Sequence, residues 1–212
     1  MVVLSRITTK TGDDGLTHLG DFSRASKTDP RIEAVGSVAE ANAILGVAVA
    51  FGLDPELSGW TGRLQQELFD LGADLATPLP AGPDPGTGSS PAVPESGPKP
   101  GAKTPNPPTP RIVPAAIEAW DQTIGQLADR LGPVRAFILP GGPPAAAQLH
   151  LAVTVVRRAE RAAWAAGEAH GIGQAGGLNR HALVYLNRLS DLLFQMARAA
   201  GGEPGLWRPS SS

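Results

Sequence analysis

The sequence predicts an all-α fold, an antiparallel bundle of five helices. Apolar residues recur at intervals of three and four in five separate segments of the 212-residue chain, which is the spacing of one buried helix face. Short connections place successive helices side by side. No convincing run of alternating apolar and polar residues indicates strands. We therefore expect one helical domain over residues 1–212.

The first two helices are predicted to begin with the same pair of residues, an aspartate followed by a proline. Asp29 and Asp54 can accept hydrogen bonds from the unpaired N–H groups of the first turn. The proline after each of them has a φ angle already suited to the first helical position. The second helix is expected to end at Thr77-Pro78.

The remaining three helices are bounded mainly by proline and glycine. The third is predicted to begin at Pro114 and to end at Gly132, because glycine is suited to the left-handed conformation that often follows a helix. The fourth is predicted over 149–169, with Pro143-Pro144 at its entrance. The fifth is predicted over about 180–199.

A Pro-rich segment at about 78–110 separates the second helix from the third. It contains more than half of the 21 prolines and almost no apolar residue that could be buried. Such a composition cannot offset the entropy lost on ordering, so we expect a disordered or extended surface insert. A spacer without a function of its own is the favoured interpretation.

Composition excludes several classes of protein. The net charge of −2 gives no reason to expect nucleic acid or a membrane surface as a partner. The chain has no cysteine, which excludes disulfides and thiolate metal sites. No signal-peptide pattern opens the chain, and no apolar run is expected to be long enough to cross a bilayer. We therefore expect a cytoplasmic protein.

The fourth helix carries an unusual cluster of charge, because residues 157–161 read RRAER in an otherwise apolar stretch. Arg157 and Arg161 lie one turn apart on the same face, which continues toward the N-terminus through Val153 and His150. Guanidinium groups on one face could bind phosphate oxygens, or they could pair with carboxylates of neighbouring helices. His150 is interpreted as a supporting or structural residue and not as a catalyst.

A glycine-bearing turn near the N-terminus is a second candidate site. Gly12 and Gly15 bracket Asp13-Asp14, and threonines and a lysine flank them. Glycines allow the backbone N–H groups to approach a polyphosphate closely, although a turn of this composition is also typical of a hairpin. The spacing is that of neither a Walker A motif nor a dinucleotide fingerprint.

Three segments together resemble the PduO-type ATP:cob(I)alamin adenosyltransferases. Their particular residues resemble those of the actinobacterial branch of that family. They read TKTGDDGLTHLGDFSRASKTDPRIEAVG from residue 9, FILPGGPPAAAQLHLAVTVVRRAER from residue 137 and YLNRLSDLLFQMAR from residue 185. The three segments occur in the same order along the chain as in the family, and the spacing between them also matches. The resemblance covers nearly the whole chain outside the Pro-rich insert.

The resemblance implies a homotrimer of five-helix bundles with active sites between subunits. It implies transfer of the 5′-deoxyadenosyl group of ATP to cob(I)alamin, with triphosphate as the leaving group and Mg²⁺ on the phosphates, held by no protein side chain. A reductase that supplies cob(I)alamin and a cobalamin-dependent mutase are implied as possible partners. Dense cationic and N–H stabilisation of a triphosphate leaving group agrees with the residues quoted above.

The resemblance also assigns residues to the site. Arg157, Asn187 and Phe137 are the candidate catalytic residues, and Phe137 matches the aromatic residue that fills the space beneath the corrin and displaces the lower axial ligand. An apolar wedge of this kind favours four-coordinate cobalt by excluding water and imidazole ligands. The candidate ATP-binding residues are Thr9, Lys10, Thr11, Gly12, Asp13, Thr17, His18 and Lys27 in the N-terminal loop, and Arg157, Arg158, Glu160 and Arg161 from the neighbouring subunit, with Asn187 completing the site.

Two positions depart from the family pattern at the corrinoid site. The family's V-D-E-x-N motif reads V-A-E-A-N here, so Ala39 replaces its aspartate, and Val153 replaces an arginine that precedes the RRAER segment by one turn. In the family these two residues form an ion pair across the subunit interface beside the corrinoid. Loss of both can be nearly neutral for stability, so we expect the trimer to survive and turnover to be reduced.

The departures leave two functional hypotheses. One is an active adenosyltransferase that seats the corrinoid by other contacts. The other is a catalytically impaired paralogue that binds ATP, cobalamin or both as a carrier, sensor or partner protein. The intact nucleotide residues favour the first hypothesis and the missing ion pair favours the second.

Overall fold

The computed structural model describes residue 8 and residues 10–81, 109–202 and 205–210. Within these residues it is a bundle of five α-helices, which confirms the predicted all-α class. Thr9 and most of the predicted insert lie outside the described residues. The helices are α1 (Pro30–Ala50), α2 (Pro55–Ala76), α3 (Pro114–Leu131), α4 (Pro144–His170) and α5 (Arg180–Gly201).

The helix starts predicted from Asp-Pro pairs are confirmed. The carboxylate of Asp29 accepts a hydrogen bond from the N–H of Arg31 at 2.8 Å, and that of Asp54 accepts from Leu57 at 3.0 Å. Thr77 follows the last residue of α2, and Gly132, with a positive φ of 70°, follows α3. These bounds are set by residues within one turn of each helix end, which is why the local sequence predicts them.

The predicted start of α4 was wrong by five residues. The helix begins at Pro144 instead of at residue 149, because a proline at the first position lacks only an N–H that would be unpaired there in any case. The added first turn carries Ala145 and Ala146, both buried against the rest of the bundle. α4 lies between α1 and α5, and it positions most of the candidate site.

A short hairpin precedes α1, in a segment where no convincing alternation of apolar and polar residues predicts strands. β1 (Leu16–His18) pairs antiparallel with β2 (Arg24–Ser26), and Thr17 lies opposite Ala25. The loop between the two strands covers residues 19–23. It therefore lies after the Asp13-Asp14 turn, which was the position considered for a hairpin turn in the sequence. The connection is closed locally, because Asp21 accepts hydrogen bonds from both the N–H and the hydroxyl of Ser23.

α1 corrects a second expectation. By length and apolar composition alone this helix could cross a membrane, whereas the sequence was expected to contain no run of that length. It packs against α2 and α4 and buries eight residues in the bundle, one of them the charged Arg31. The guanidinium of Arg31 donates to the backbone oxygens of Leu75 and Gly176 at 2.8 and 2.7 Å. A core position accounts for the apolar composition of α1.

A buried polar network joins the two ends of the Pro-rich insert. Asp74, which is fully buried at the end of α2, pairs with Arg111 at 2.7 Å and accepts hydrogen bonds from the N–H of Ile112 and from Asn179. Arg111 also donates to the backbone oxygens of Thr77 and Pro78. Because the chain leaves and re-enters the bundle at this network, the length of the insert has little effect on the rest of the fold.

Candidate active site

The first part of the candidate site is a half-open, mainly apolar cavity of about 580 Å³, here called the Phe137 cavity. One wall is α4, which contributes His150, Val153 and Arg157 at three- and four-residue spacing. The opposite wall is the segment between α3 and α4. The full lining is Val134, Arg135, Ala136, Phe137, Ile138, Pro140, His150, Val153, Thr154, Arg157 and Phe194.

The cavity brings together three sequence-predicted residues, Phe137, Val153 and Arg157. Phe137 is 78% exposed, so its ring is not part of the hydrophobic core. Val153 is only 5% exposed and forms part of the apolar wall. The cavity is therefore mainly apolar, and Arg157 together with Arg135 adds positive charge to its lining.

His150 lies in the cavity wall as a neutral, buried side chain. Its ring contacts that of Phe194 edge to face, with 6.3 Å between the centroids. Burial lowers the pKa of His150 below its usual value of 6.5, so the imidazole is uncharged at neutral pH. This agrees with a supporting or structural role and leaves Arg157 as the cationic α4 side chain that lines the cavity.

The three arginines of α4 differ in their partners. Arg158 forms an ion pair with Glu40 of α1. Within a single chain this arginine therefore pairs with a carboxylate of a neighbouring helix, which was the structural alternative to phosphate binding. Arg157 and Arg161 are exposed, and no carboxylate of the described ranges pairs with either guanidinium. Arg161 donates instead to the backbone oxygen of Arg157 at 3.1 Å, which holds its guanidinium over the same face. Two of the three arginines are thus available to an anionic ligand.

Glu160 and Asn187 meet at the surface between α4 and α5. The amide nitrogen of Asn187 donates to the carboxylate of Glu160 at 3.2 Å, and Asn187 itself is exposed. The family resemblance implies that both residues bind ATP. The structure places them side by side, so one ligand could contact both.

The N-terminal loop forms a second, polar cavity of about 430 Å³, here called the loop cavity. It contains four of the predicted ATP-binding residues and two that were not predicted, Asp14 and Arg24. The full lining is Lys10, Thr11, Asp13, Asp14, His18 and Arg24.

Arg24 holds the loop cavity closed on one side. Its guanidinium pairs with Asp14 at 3.1 Å and donates to the backbone oxygen of Thr11 at 3.3 Å, so β2 is tied to the turn that precedes β1. The N–H of Leu16 and the charge of Arg24 lower the pKa of Asp14 below its usual value. Arg24 was not predicted, because nothing in the local sequence indicates which cation of the segment pairs with Asp14.

The remaining loop residues support this cavity. Gly12 lies against Lys27, because a Cβ at position 12 would be 3.1 Å from the Lys27 ammonium and 3.2 Å from the backbone oxygen of Leu16. The N–H of Lys27 donates to the backbone oxygen of Gly15 at 2.9 Å, and Thr17 is paired within the hairpin. Glycine at position 12 therefore suits the close approach of Lys27, because a side chain there would require its neighbours to shift by a few tenths of an ångström.

Ala39 lies in a third cavity, an apolar groove of about 630 Å³ between α1 and α2, here called the α1–α2 groove. Phe69 of α2 is largely exposed beside it. The two departures from the family pattern therefore lie in different cavities of one chain, Ala39 in the groove and Val153 in the Phe137 cavity.

In chemical terms the described site combines an apolar cavity, two free guanidinium groups and a loop with a lysine, an arginine and turn N–H groups. An apolar cavity of this size suits a large flat ligand, and the cationic groups suit a polyphosphate. In the part of the chain that the structure describes, no group of three or more His, Cys, Asp or Glu side chains could hold a metal ion.

Comparison with known proteins agrees with this chemistry. The family model of cobalamin adenosyltransferases matches residues 7–200. The chain is 41% identical over 208 residues to the corrinoid adenosyltransferase of Mycobacterium leprae, an alignment that covers 97% of each chain. It is 37% identical over 193 residues to a corrinoid adenosyltransferase of Citrobacter freundii, covering 91% of this chain and 93% of that one.

Solved structures show the same likeness. A phenylalanine-to-alanine variant of the PduO-type ATP:corrinoid adenosyltransferase from Lactobacillus reuteri, complexed with cobalamin and ATP, superposes with a TM-score of 0.74 at 30% identity. The alignment covers 96% of this chain and 100% of that chain. An arginine-to-lysine variant of the Lactobacillus reuteri enzyme, complexed with ATP, gives a TM-score of 0.71 at 29% identity, with coverage of 95% and 100%.

Proposed function

The chain belongs to the cobalamin adenosyltransferase family, and on this premise we propose that it transfers the 5′-deoxyadenosyl group of ATP to cob(I)alamin. The cobalt supplies the electron pair of the new Co–C bond, the C5′–O bond of ATP breaks, and triphosphate leaves with the electron pair of that C5′–O bond. The observation that carries the proposal is the Phe137 cavity, where an exposed aromatic ring and a free guanidinium line one apolar space.

We assign the corrinoid to the Phe137 cavity. The corrin is a large flat macrocycle, and apolar walls such as Val153 and Ile138 exclude water from its lower face. The Phe137 ring projects from the segment between α3 and α4, where it could occupy the position of a lower axial ligand. Removal of that ligand makes cobalt four-coordinate, which favours reduction to the nucleophilic Co(I) state.

We assign the triphosphate of ATP to the loop cavity together with Arg157 and Arg161. Lys10, Arg24 and the turn N–H groups of the loop offer donors to phosphate oxygens. Arg157 lines the Phe137 cavity as well, so its charge lies where the leaving group would separate from the reacting carbon. Glu160 and Asn187 complete the nucleotide contacts in this assignment.

Mg²⁺ is proposed to arrive with ATP. Magnesium is usually bound by one or two carboxylates together with substrate phosphates, and it keeps several water molecules. Asp13 lines the loop cavity and is the carboxylate best placed to contact a hydrated ion there, since Asp14 is already paired with Arg24. The ion would neutralise charge on the triphosphate as it leaves.

We propose that the site is completed between subunits of a homotrimer. The exposed Phe69 and the α1–α2 groove form an apolar surface of the kind that subunit contacts cover. Within one chain, the loop cavity and the Phe137 cavity share no lining residue. A neighbouring subunit is therefore the simplest source of the loop that would meet Arg157 and Arg161.

The impaired-paralogue alternative gains no support from the comparisons, because the relatives that match over nearly the whole chain are named adenosyltransferases. A reductase and a cobalamin-dependent mutase remain proposed partners, since the reaction consumes cob(I)alamin and yields adenosylcobalamin. The cytoplasm remains the proposed compartment.

The test is one assay with three samples. Chemically reduced cob(I)alamin and Mg-ATP are mixed with the protein, with the Arg157→Ala variant, and with buffer, and the Co–C bond of adenosylcobalamin is followed by its absorbance. We expect product with the protein and at least about a hundredfold less with the variant, because leaving-group stabilisation of this kind is worth several kcal/mol. Absence of product above the buffer control, with ATP binding shown by calorimetry, would refute the proposed reaction.

A further inference from the structure

The Phe137 cavity contains a second arginine, to which the assignments above give no role. Arg135 belongs to the segment between α3 and α4 and lines the cavity on the wall opposite α4. Its side chain is exposed. Arg130, five residues earlier, pairs with Glu56 at 2.8 Å, whereas no carboxylate in the described ranges forms an ion pair with Arg135. The guanidinium of Arg135 is therefore free to bind an anionic ligand.

The lining of this cavity is unbalanced in charge. It includes two arginines, Arg135 and Arg157, and no aspartate or glutamate. His150 does not change the balance at neutral pH, because burial lowers its pKa and leaves the imidazole uncharged. Apolar walls with two unpaired cations suit ligands that combine a large apolar body with more than one anionic group.

The two arginines lie on opposite walls, so one anion does not account for both. Arg157 belongs to α4 and is assigned to the triphosphate of ATP. Arg135 precedes Phe137 by two residues, a stretch of chain that spans at most about 7 Å. In the proposed arrangement Phe137 lies against the lower face of the corrin, and the reaction with ATP takes place at the upper face. Arg135 therefore lies on the side of the corrin that ATP does not occupy.

Cobalamin carries an anion on that lower side. Its nucleotide tail leaves the lower face of the corrin and contains a phosphodiester, which is the only anionic group among the side chains of the macrocycle. In the Co(I) state the base of the tail does not bind the metal, so the tail extends freely below the ring. A guanidinium recognises phosphate oxygens through charge-assisted hydrogen bonds, which match its planar geometry.

We propose that Arg135 binds the phosphodiester of the nucleotide tail, and that it makes the protein selective for complete corrinoids over those that lack the tail. The inference rests on the proposed function and adds a specificity-determining residue to it. The phosphates of ATP offer similar oxygen ligands, so the experiment must distinguish the two sources.

The test compares two substrates that differ only in the tail. Cob(I)inamide has the corrin and the reactive cobalt of cob(I)alamin but no phosphodiester, and the cobalt of both is four-coordinate. The parent and Arg135→Ala are assayed with each substrate at saturating Mg-ATP. We expect the variant to raise the KM for cob(I)alamin about three- to tenfold, because it loses one charge-assisted contact in a half-open cavity. The KM for cob(I)inamide, the KM for ATP and kcat should stay at parental values.

A third substrate identifies the part of the tail that is recognised. Cob(I)inamide phosphate keeps a phosphate and lacks the ribose and the base. Its KM should rise in Arg135→Ala by about the same factor as that of cob(I)alamin. A KM that does not rise would show that Arg135 contacts the ribose or the base, and the proposed phosphate contact would be wrong.

Two further variants are controls. Arg135→Lys keeps the positive charge and should recover most of the affinity for cob(I)alamin. Arg130→Ala removes a guanidinium from the end of α3, outside the Phe137 cavity, and changes the net charge by the same amount. It should keep the parental ratio of the two KM values, for cob(I)alamin and cob(I)inamide.

Three results would overturn the inference: parental KM values in Arg135→Ala, an equal loss with cob(I)alamin and cob(I)inamide, or an equal change of the ratio in Arg130→Ala. A rise in the KM for ATP, with either corrinoid, would assign Arg135 to the nucleotide instead. The parent separates these outcomes from a failure of the proposed function. A parent that adenosylates neither corrinoid refutes the proposed reaction, whereas an active parent with an unaffected Arg135→Ala variant refutes only the role of Arg135.

Discussion

The strongest test of the inter-subunit site is to restore the two charges that the chain lacks, singly and together. In one chain Ala39 is exposed on α1, so Ala39→Asp should change the free energy of unfolding by no more than about 0.5 kcal/mol if nothing covers it. If a neighbouring subunit covers the α1–α2 groove, the same substitution buries an unpaired carboxylate, at a cost of about 3–5 kcal/mol. For a chain of about 200 residues this cost corresponds to a fall in Tm of roughly 6–20 °C.

Val153→Arg differs because Val153 is already 5% exposed in the single chain. The guanidinium would have to extend into the Phe137 cavity, one turn from Arg157, and like charges four residues apart on a helix destabilise it further. We expect a loss of about 1–3 kcal/mol for this single variant. In the double variant the new charges should pair across the interface, with a coupling of about 1.5 kcal/mol or more.

Four proteins and one control complete the experiment. The parent, both single variants and the double variant are melted at several protein concentrations and sedimented under the same conditions, because the stability of an assembly depends on concentration. Ala115→Asp, at an exposed alanine of α3 away from the three cavities, controls for the general effect of an added carboxylate.

The sedimentation and melting results decide between the two arrangements. Ala39→Asp variants that melt and sediment like the parent, together with additive effects in the double variant, would refute the inter-subunit contact. Turnover gives a separate answer: the double variant should form adenosylcobalamin faster than the parent with little change in ATP affinity. If it does not, the missing ion pair does not limit corrinoid seating.

Four further predictions concern stability, the loop, pH and the insert. Asp74→Ala should cost about 3–5 kcal/mol in urea unfolding, because it leaves a half-buried guanidinium without its carboxylate; a loss below about 1 kcal/mol would contradict this. Gly20→Ala should raise the Kd for Mg-ATP about tenfold and leave corrinoid binding unchanged, because the new Cβ overlaps the Thr77 hydroxyl where the hairpin meets α2; equal affinities by calorimetry would show that the hairpin does not hold ATP. Burial lowers the pKa of His150, so below about pH 6.5 the unfolded chain binds a proton that the folded chain does not, and stability should fall as the pH drops; His150→Gln should flatten that part of the profile. Replacement of residues 82–108 by a short Gly-Ser linker should leave Tm and kcat unchanged, and a loss of either would assign the insert a role beyond that of a spacer.

The parts of the fold that the sequence predicts are those set by neighbours in the chain. Asp29 and Asp54 accept hydrogen bonds from residues two and three positions later, so the signal for each helix start lies within one turn. The hairpin escaped prediction for a related reason, because each of its strands has three residues and alternation cannot be recognised over so short a run. Its closure depends on the Asp21–Ser23 contacts, which are local but common to many turns.

Contacts between distant residues could not be predicted in this way. Asp74 and Asn179 are 105 positions apart, and nothing near either residue indicates that they meet in the core. The candidate site shows the same division. The spacing of Val153 and Arg157 on α4 predicted their shared face, whereas the contact of Trp207 with Phe137 depends on how the chain returns after α5.

The two departures from the family have different consequences in this structure. Val153 is buried in the wall of the Phe137 cavity, so on the proposed assignment of that cavity a valine in place of arginine extends the apolar surface offered to the corrinoid. Ala39 is exposed in the groove, so an alanine there leaves no carboxylate to be buried unpaired if a neighbouring subunit covers the groove. Loss of the ion pair therefore removes a polar contact and leaves an apolar seat intact.

In an apolar binding site of this kind, the orientation of the proposed corrinoid ligand should depend more on the shape of the cavity than on charged contacts. Phe137 is the exposed ring of that site, and it contacts the ring of Trp207 edge to face. A chain that lacks the ion pair should therefore be more sensitive to Trp207→Ala than the same chain with Ala39→Asp and Val153→Arg restored. Equal fold-losses of kcat in the two backgrounds would show that the ion pair and the aromatic pair act independently.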